Sequence, residues 1–106
     1  MPAQIEHLLK KFKQGLLQLY GLRLEGLYLY GSYARGDFQA GSDLDVLVVL
    51  SDFERAPLEI RRTSQLVGDL SLEYLITISP VFIRGQDWRL ADKPLLRNVR
   101  NEGMAV

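Results

Sequence analysis

The feature that most constrains the fold is the apolar run LDVLVVL at Leu44–Leu50, which contains three valines and a single charged side chain. A short apolar run rich in β-branched residues is typical of a central strand that is covered on both faces. The run therefore predicts a sheet with this strand in its interior and other elements packed above and below it.

The rest of the chain predicts helices and further strands around this run. Apolar residues at helical spacing predict an amphipathic helix at 3–20 that stops at Gly21, and aromatic and aliphatic residues predict a strand at Leu24–Tyr30. The expected fold is a single α/β (α+β) domain over residues 1–106, with a small mixed central sheet of three to four strands flanked by helices. The other expected elements are a short helical piece within 31–36, a helix at 54–68, a strand at 71–78, a helix at 87–101 that kinks or begins at Pro94, and a short edge strand at 104–106.

Composition excludes several kinds of chemistry. The chain has no cysteine and one histidine, so disulfides, thiolate metal sites and multi-histidine zinc sites are excluded. Residues 24–79 carry nine acidic and four basic side chains between basic flanks. That distribution disfavours direct nucleic-acid binding and suits a site for metal cations with a phosphate ligand, although a chance scatter of surface charge is the alternative. With no signal peptide and no apolar stretch of membrane length, we expect a cytoplasmic protein without a membrane partner.

Two acidic residues, Asp43 and Asp45, stand at the head of the apolar run. Because strand side chains alternate between faces, these two carboxylates share one face, and the apolar side chains that begin at Leu44 share the other. Carboxylates this close repel each other and raise each other's pKa unless a cation lies between them. Aspartate is also common in turns that precede strands, so the acid pair, as we call Asp43 and Asp45, is weak evidence by itself.

Gly31 and Ser32 follow the first predicted strand. Glycine lets a backbone approach a phosphate closely, and the N–H and hydroxyl of Ser32 can donate to phosphate oxygens, although Gly-Ser alone is equally a turn. The two features together are specific, because both strands deliver them to one edge of the sheet. A phosphate-binding turn that faces an acid pair is the arrangement needed for phosphoryl transfer from a nucleoside triphosphate, with two Mg²⁺ ions.

Gly31-Ser32, ten residues and Asp43-x-Asp45 resemble the signature of the nucleotidyltransferase superfamily that includes DNA polymerase β. The longer string GSYARGDFQAGSDLDVLV is similar to the minimal nucleotidyltransferase (MNT) family, whose members have about this length. The resemblance implies a polymerase β-like fold, an acid pair that binds Mg²⁺ (two ions), a Gly-Ser that binds the triphosphate, and a third acid on a later strand.

Alternation within SLEYLITI predicts that Glu73 is this third acid, both catalytic and metal-binding, with Asp69 as the runner-up. A structural salt bridge is the other explanation of Glu73. Arg35 either contacts the nucleotide phosphates or pairs with Asp37.

MNT proteins commonly occur in toxin–antitoxin pairs with a HEPN-domain ribonuclease. The resemblance implies an antitoxin that transfers AMP from ATP to a tyrosine hydroxyl of that toxin. A domain of this length leaves no room for a separate acceptor domain within it, so we expect the acceptor to come from a partner or from a second copy in a homo-oligomer. The alternatives are an antitoxin that acts by binding alone, with a vestigial nucleotide site, and an antibiotic-type nucleotidyltransferase that acts as a dimer on a small molecule.

Overall fold

The computed structural model describes residues 1–106 and places β2 (Leu44–Leu50) inside a four-stranded mixed sheet. β1 (Leu24–Tyr30) pairs antiparallel with one side of β2, and β3 (Ile78–Arg84) pairs parallel with the other side. β4 (Met104–Ala105) pairs antiparallel with β1 and completes the order β3-β2-β1-β4. The predicted mixed sheet of three to four strands is therefore confirmed, with the apolar run in its interior.

Helices flank this sheet, and none of them is long and apolar enough to cross a membrane. The predicted helix at 3–20 is confirmed, and the last helix begins at Pro94, where the proline ring suits the first helical turn. The helices are α1 (Ala3–Tyr20), α2 (Ser32–Arg35), α3 (Ala56–Arg62), α4 (Ser64–Tyr74), α5 (Gly85–Leu90) and α6 (Pro94–Glu102), with one 3-10 turn at Gly21–Arg23.

The two faces of β2 pack into two separate hydrophobic clusters. Val46 and Val48 are fully buried in the larger cluster, which includes Phe12 of α1. Leu47, on the opposite face, is fully buried in a smaller cluster with Leu96 of α6. Because side chains alternate along a strand, the acid pair at the start of β2 lies on the side of the sheet that α6 covers.

The segment between β2 and β3 differs from its predicted structure at two points. The single helix predicted at 54–68 is two helices, which meet at Thr63. The Thr63 hydroxyl donates to the Glu59 carbonyl at 2.9 Å, a side-chain bond that competes with the helical pattern and favours a bend. The strand predicted at 71–78 is wrong, because residues 71–74 form the last turn of α4 and β3 starts only at Ile78.

Two physical reasons explain the misplaced strand. The apolar spacing of SLEYLITI fits a buried helix as well as a strand, and over so short a run periodicity cannot decide between them. The true strand, ISPVFIR, contains Pro80, which lacks an N–H donor and normally argues against a strand. β3 is an edge strand of the sheet, and an edge position is one of the few that tolerate proline.

Candidate active site

The adjoining ends of β1 and β2 bring Gly31 and Asp45 into contact. Tyr30, the last residue of β1, lies opposite Asp45 in the antiparallel register. Gly31 then leaves the sheet with φ +77°, a conformation that glycine adopts without strain. A Cβ atom at Gly31 would overlap the Asp45 carboxylate. Both the positive φ and the close approach therefore require glycine here, and the two halves of the sequence motif touch in the fold.

Residues 31–35 form a compact turn at this edge, which we call the phosphate-binding turn after its predicted role. The backbone N–H groups of Ala34 and Arg35 donate to the Gly31 carbonyl at 3.1 and 3.0 Å, and Ser32 begins α2. Gly36 ends α2 in a left-handed conformation with φ +88°. Gly31, Ser32 and Arg35 are thus held on one short turn beside Asp45.

The acid pair lies at the start of β2. Asp43 is exposed and accepts a hydrogen bond from the Ser79 hydroxyl at 3.4 Å. Asp45 is half-buried, and burial raises its pKa. The negative charge of Asp43 raises the pKa of Asp45 further, and the positive charge of Arg35 opposes the shift. The ionised acid pair is therefore poorly compensated within the protein, which favours a bound cation.

The chemistry of this donor set fits Mg²⁺. Magnesium usually takes one or two carboxylates from a protein and completes its octahedral shell with phosphate oxygens and water. Asp43 and Asp45 supply two hard oxygen ligands beside the turn at Gly31 and Ser32. A shared site for the metal and a triphosphate is therefore chemically consistent with these residues.

Glu73 lies away from the acid pair. It is on the last turn of α4, its side chain is 50% exposed, and it forms an ion pair with Lys11 of α1 at 2.6 Å. No third acidic or histidine side chain joins Asp43 and Asp45 in a cluster that could hold a metal ion. The prediction that Glu73 meets the two aspartates is therefore wrong, and the alternative, a salt bridge, is what the structure contains. Asp69, the runner-up, accepts a hydrogen bond from Gln65 on the same helix.

β3 carries no acidic residue, and the β3 side chain that lies beside the acid pair is that of Ser79. Ser79 pairs with Asp45 in the parallel register and donates to Asp43. Sequence reasoning missed Ser79 because it placed the third strand seven residues too early in the chain. A correct assignment of ISPVFIR would have put Ser79 beside the acid pair.

Glu102, the last residue of α6, is a second residue that sequence reasoning missed. Its Oε1 atom accepts the Gly31 N–H at 3.2 Å and the Arg35 guanidinium at 3.2 Å. Arg35 also donates to Asp37 at 3.2 Å, and hydrogen bonds to Asp37 and Glu102 raise the pKa of Arg35. No local pattern connects Glu102 to a glycine 71 residues earlier, so only the folded chain shows the contact.

An open groove of about 710 Å³ lies on the side of the sheet that α1 and α4 cover, and neither Asp43 nor Asp45 lines it. The start of α1, the loop at 38–42 and the segment from the end of α4 to residue 77 form its walls. It is linked to the acid pair through two neighbouring residues, Ser42, which directly precedes Asp43, and Thr77, whose carbonyl accepts the N–H of Leu44 at 2.8 Å. Leu72 and Leu75 line it while remaining 76% and 89% exposed, so we call it the leucine groove.

The sequence profile of the nucleotidyltransferase domain family matches residues 9–91, which include the phosphate-binding turn, the acid pair and β3. The chain therefore belongs to the nucleotidyltransferase family, as the motif predicted. None of the curated proteins compared with the chain matches it.

Several solved structures share this fold. A chain of a toxin–antitoxin complex with AMP-PNP superposes with a TM-score of 0.62 at 23% identity, over 89% of this chain and 68% of that one. A nucleotidyltransferase-type structure from Sulfolobus solfataricus gives 0.60 at 18% identity, over 96% and 80%. A chain of the complex between tri-AMPylated Shewanella oneidensis HEPN toxin and MNT antitoxin gives 0.52 at 19% identity, over 91% and 69%. At these identities the likeness shows the shared fold.

Proposed function

We propose that this chain is an MNT antitoxin that transfers AMP from ATP to a tyrosine hydroxyl of a HEPN-domain toxin, in the cytoplasm and with Mg²⁺. The observation that carries the proposal is the contact between Gly31 and the Asp45 carboxylate, which joins the phosphate-binding turn to the acid pair. Family membership supports nucleotidyl transfer. The toxin–antitoxin complexes with the same fold, one of them with an AMPylated toxin, support the choice of acceptor.

Each residue of the site has a role in this proposal. Asp43 and Asp45 would hold Mg²⁺, which when bound neutralises phosphate charge and aligns the attacking and leaving oxygens. The Ser32 N–H and hydroxyl would donate to triphosphate oxygens, and Arg35 would pair with the same anion. The acceptor oxygen forms a bond to the α-phosphorus while the bond to the β-phosphate oxygen breaks. Diphosphate then leaves, and the hydroxyl proton passes to water.

We place the partner protein on the leucine groove. The groove presents two exposed leucines, Leu72 and Leu75, and we take them as the surface that a partner protein covers. Ser42 lines the groove and directly precedes Asp43, so an acceptor side chain of a protein bound there would reach the acid pair around the edge of the sheet.

Transfer of label from α-labelled ATP tests this function. The chain, Mg²⁺ and a purified HEPN-domain partner are incubated together, and the labelled residue is located by mass spectrometry. We expect AMP on a partner tyrosine with the wild type and none with Asp43→Asn. Asp92→Asn removes a similar carboxylate from an exposed ion pair with Arg97 and is the matched control that keeps transfer. A partner that is labelled equally by Asp43→Asn would exclude the acid pair from the reaction.

A second candidate function is an antitoxin that acts by binding alone. The observation that favours it is Ser79, because the strand next to the acid pair offers a hydroxyl where a third carboxylate was expected. Under this hypothesis the partner's ribonuclease activity is inhibited without ATP, and equally by the wild type and by Asp43→Asn. The labelling experiment and a ribonuclease assay on the same samples therefore separate the two functions.

A further inference from the structure

We propose that Glu102 occupies part of the triphosphate site in the free protein and leaves it when nucleotide binds, so that Glu102 sets the affinity for the triphosphate. The inference rests on the proposed function, because it takes the turn at Gly31–Arg35 as the place where phosphate binds.

The contacts of Glu102 are those expected of a bound phosphate oxygen. One carboxylate atom, Oε1, accepts both the Gly31 N–H and the Arg35 guanidinium, each at 3.2 Å, and Oε2 lies 3.4 Å from the same Arg35 nitrogen. A backbone N–H next to a guanidinium is a common way to hold an oxyanion, whether carboxylate or phosphate. Glu102 therefore satisfies donors that the triphosphate would use.

A triphosphate and the Glu102 carboxylate cannot share these donors at low cost. The Gly31 N–H has a single hydrogen, which Glu102 already accepts. Arg35 divides its donors between Glu102 and Asp37, so its nearby charge is matched by carboxylates before any ligand arrives. A phosphate oxygen brought to Arg35 would lie next to the Glu102 carboxylate, and the like charges repel each other.

The placement of Glu102 on α6 gives independent support. A carboxylate at the C-terminal end of a helix lies at the negative end of the helix dipole, where a basic residue is favoured. Glu102 is the last residue of α6 and breaks this local rule. Its contacts with Gly31 and Arg35 provide the compensating interaction, and residues that break a local rule in this way are characteristic of functional sites.

A change of side-chain rotamer is sufficient to move the Glu102 carboxylate out of the turn. The Glu102 side chain is 27% exposed, while the backbone after it is held by the pairing of β4 with β1. Rotation of the glutamate side chain toward solvent would free the Gly31 N–H without disturbing the buried residues of α6, such as Leu96 and Val99.

Binding of inorganic tripolyphosphate tests the proposal without requiring catalysis. Its affinity for the intact chain, with Mg²⁺ present, is measured by calorimetry for the wild type, Glu102→Gln and Glu102→Ala. We expect both variants to bind about two- to fivefold more tightly, the size of effect typical of a partly exposed ion pair. Adenosine, which has no phosphate, should bind the three proteins equally.

Two controls separate competition from other effects of charge. Asp92→Asn removes a negative charge from an ion pair outside the site, and we expect it to leave the affinity for tripolyphosphate unchanged. In an Arg35→Gln background, the gain from Glu102→Gln should shrink, because the guanidinium for which both anions compete is gone.

Equal or weaker binding by the Glu102 variants would overturn the proposal, since it would make Glu102 a residue that positions Arg35 for phosphate. An equal gain from Asp92→Asn, or no binding by any of the proteins, would overturn it as well. Failure of the proposed function is a separate result. A chain that binds tripolyphosphate more tightly as Glu102→Gln but labels no partner would refute AMP transfer and leave the role of Glu102 intact.

Discussion

At the scale of single residues, Asp45 destabilises the free protein in its ionised form. Its folded-state pKa is raised by burial and by Asp43, so the folded protein holds the proton more tightly than the unfolded chain does. Stability is therefore lost as pH rises from the ordinary aspartate pKa through the raised one, and the cost persists at neutral pH. A bound cation at the acid pair would remove this cost.

Asp45→Asn tests this account. The variant has no charge to bury, so at pH 7 and without ligand it should melt no lower than the wild type, and the difference between them should narrow near pH 4. It should also lose AMP transfer. Thermal melts at the two pH values and the labelling assay provide the measurements. A variant that melts well below the wild type at pH 7 would show that Asp45 stabilises the fold instead.

Ser32→Ala is the residue-scale test of the phosphate-binding turn. The change removes one hydroxyl donor to a charged ligand, which costs about 1.5–3 kcal/mol. We expect ATP to bind about ten- to a hundredfold more weakly, as measured by titration with Mg²⁺ present. Ser64→Ala, which removes a hydroxyl at the start of α4, is the matched control and should leave ATP affinity unchanged. Equal affinities for Ser32→Ala and the wild type would reduce Ser32 to a turn residue.

At the scale of elements, the end of α4 departs from ordinary helix chemistry. Leu75 ends the helix with φ 54° and ψ 45°, and it is the one non-glycine residue of the chain with a positive φ. Glycine is the common residue at this kind of helix end, because a Cβ there costs about 1–2 kcal/mol. The strained, exposed leucine is therefore better explained by a contact on the leucine groove than by the stability of α4.

Leu75→Gly should accordingly stabilise the free domain. Relief of the strain is partly offset by the greater freedom of glycine in the unfolded chain, so we expect a gain of about 1 kcal/mol or less in the free energy of unfolding. Leu75→Ala keeps the strain and removes the side chain, so it should show no gain in urea denaturation. Both variants should bind the HEPN-domain partner more weakly. Full partner binding by either of them would place the partner elsewhere.

At the scale of the whole molecule, ligand binding should stabilise the fold, because the site draws on β1, α2, β2 and α6. A ligand that binds only the folded chain adds about 2.7 kcal/mol at a hundred times its dissociation constant. For a domain of this size, that corresponds to a rise of about 10 °C or more in melting temperature. We expect this rise with Mg²⁺ and ATP together and a much smaller one with Asp43→Asn. An equal rise in both proteins would show that the nucleotide binds without the acid pair.

The strands that form the site were predictable because their signals are local. The run at Leu44–Leu50 is short, rich in valine and preceded by a Gly-Ser turn signal, which favours a buried strand, and strand alternation then assigns Asp43 and Asp45 to one face. Gly31 and Ser32 follow directly from the end of β1. β3 was not predictable in the same way. Pro80 argues against a strand, and the apolar spacing of the residues before β3 suits a helix as well as a strand. Because the strand was misplaced, the prediction that Glu73 lies beside the acid pair was wrong as well.

The sequence by itself therefore determined the mixed sheet, the first helix, the family, and the positions of the phosphate-binding turn and the acid pair. Those features depend on the period of the apolar residues, on the residues that form turns and on the spacing of the motif, all of which can be recognised within short stretches of the chain. Only the tertiary structure decided that Glu73 pairs with Lys11, that Ser79 stands beside Asp43, and that Glu102 reaches the Gly31 N–H. These contacts join residues 36 to 71 positions apart, and strand pairing and helix packing bring them together, because no local rule links partners so distant in the chain.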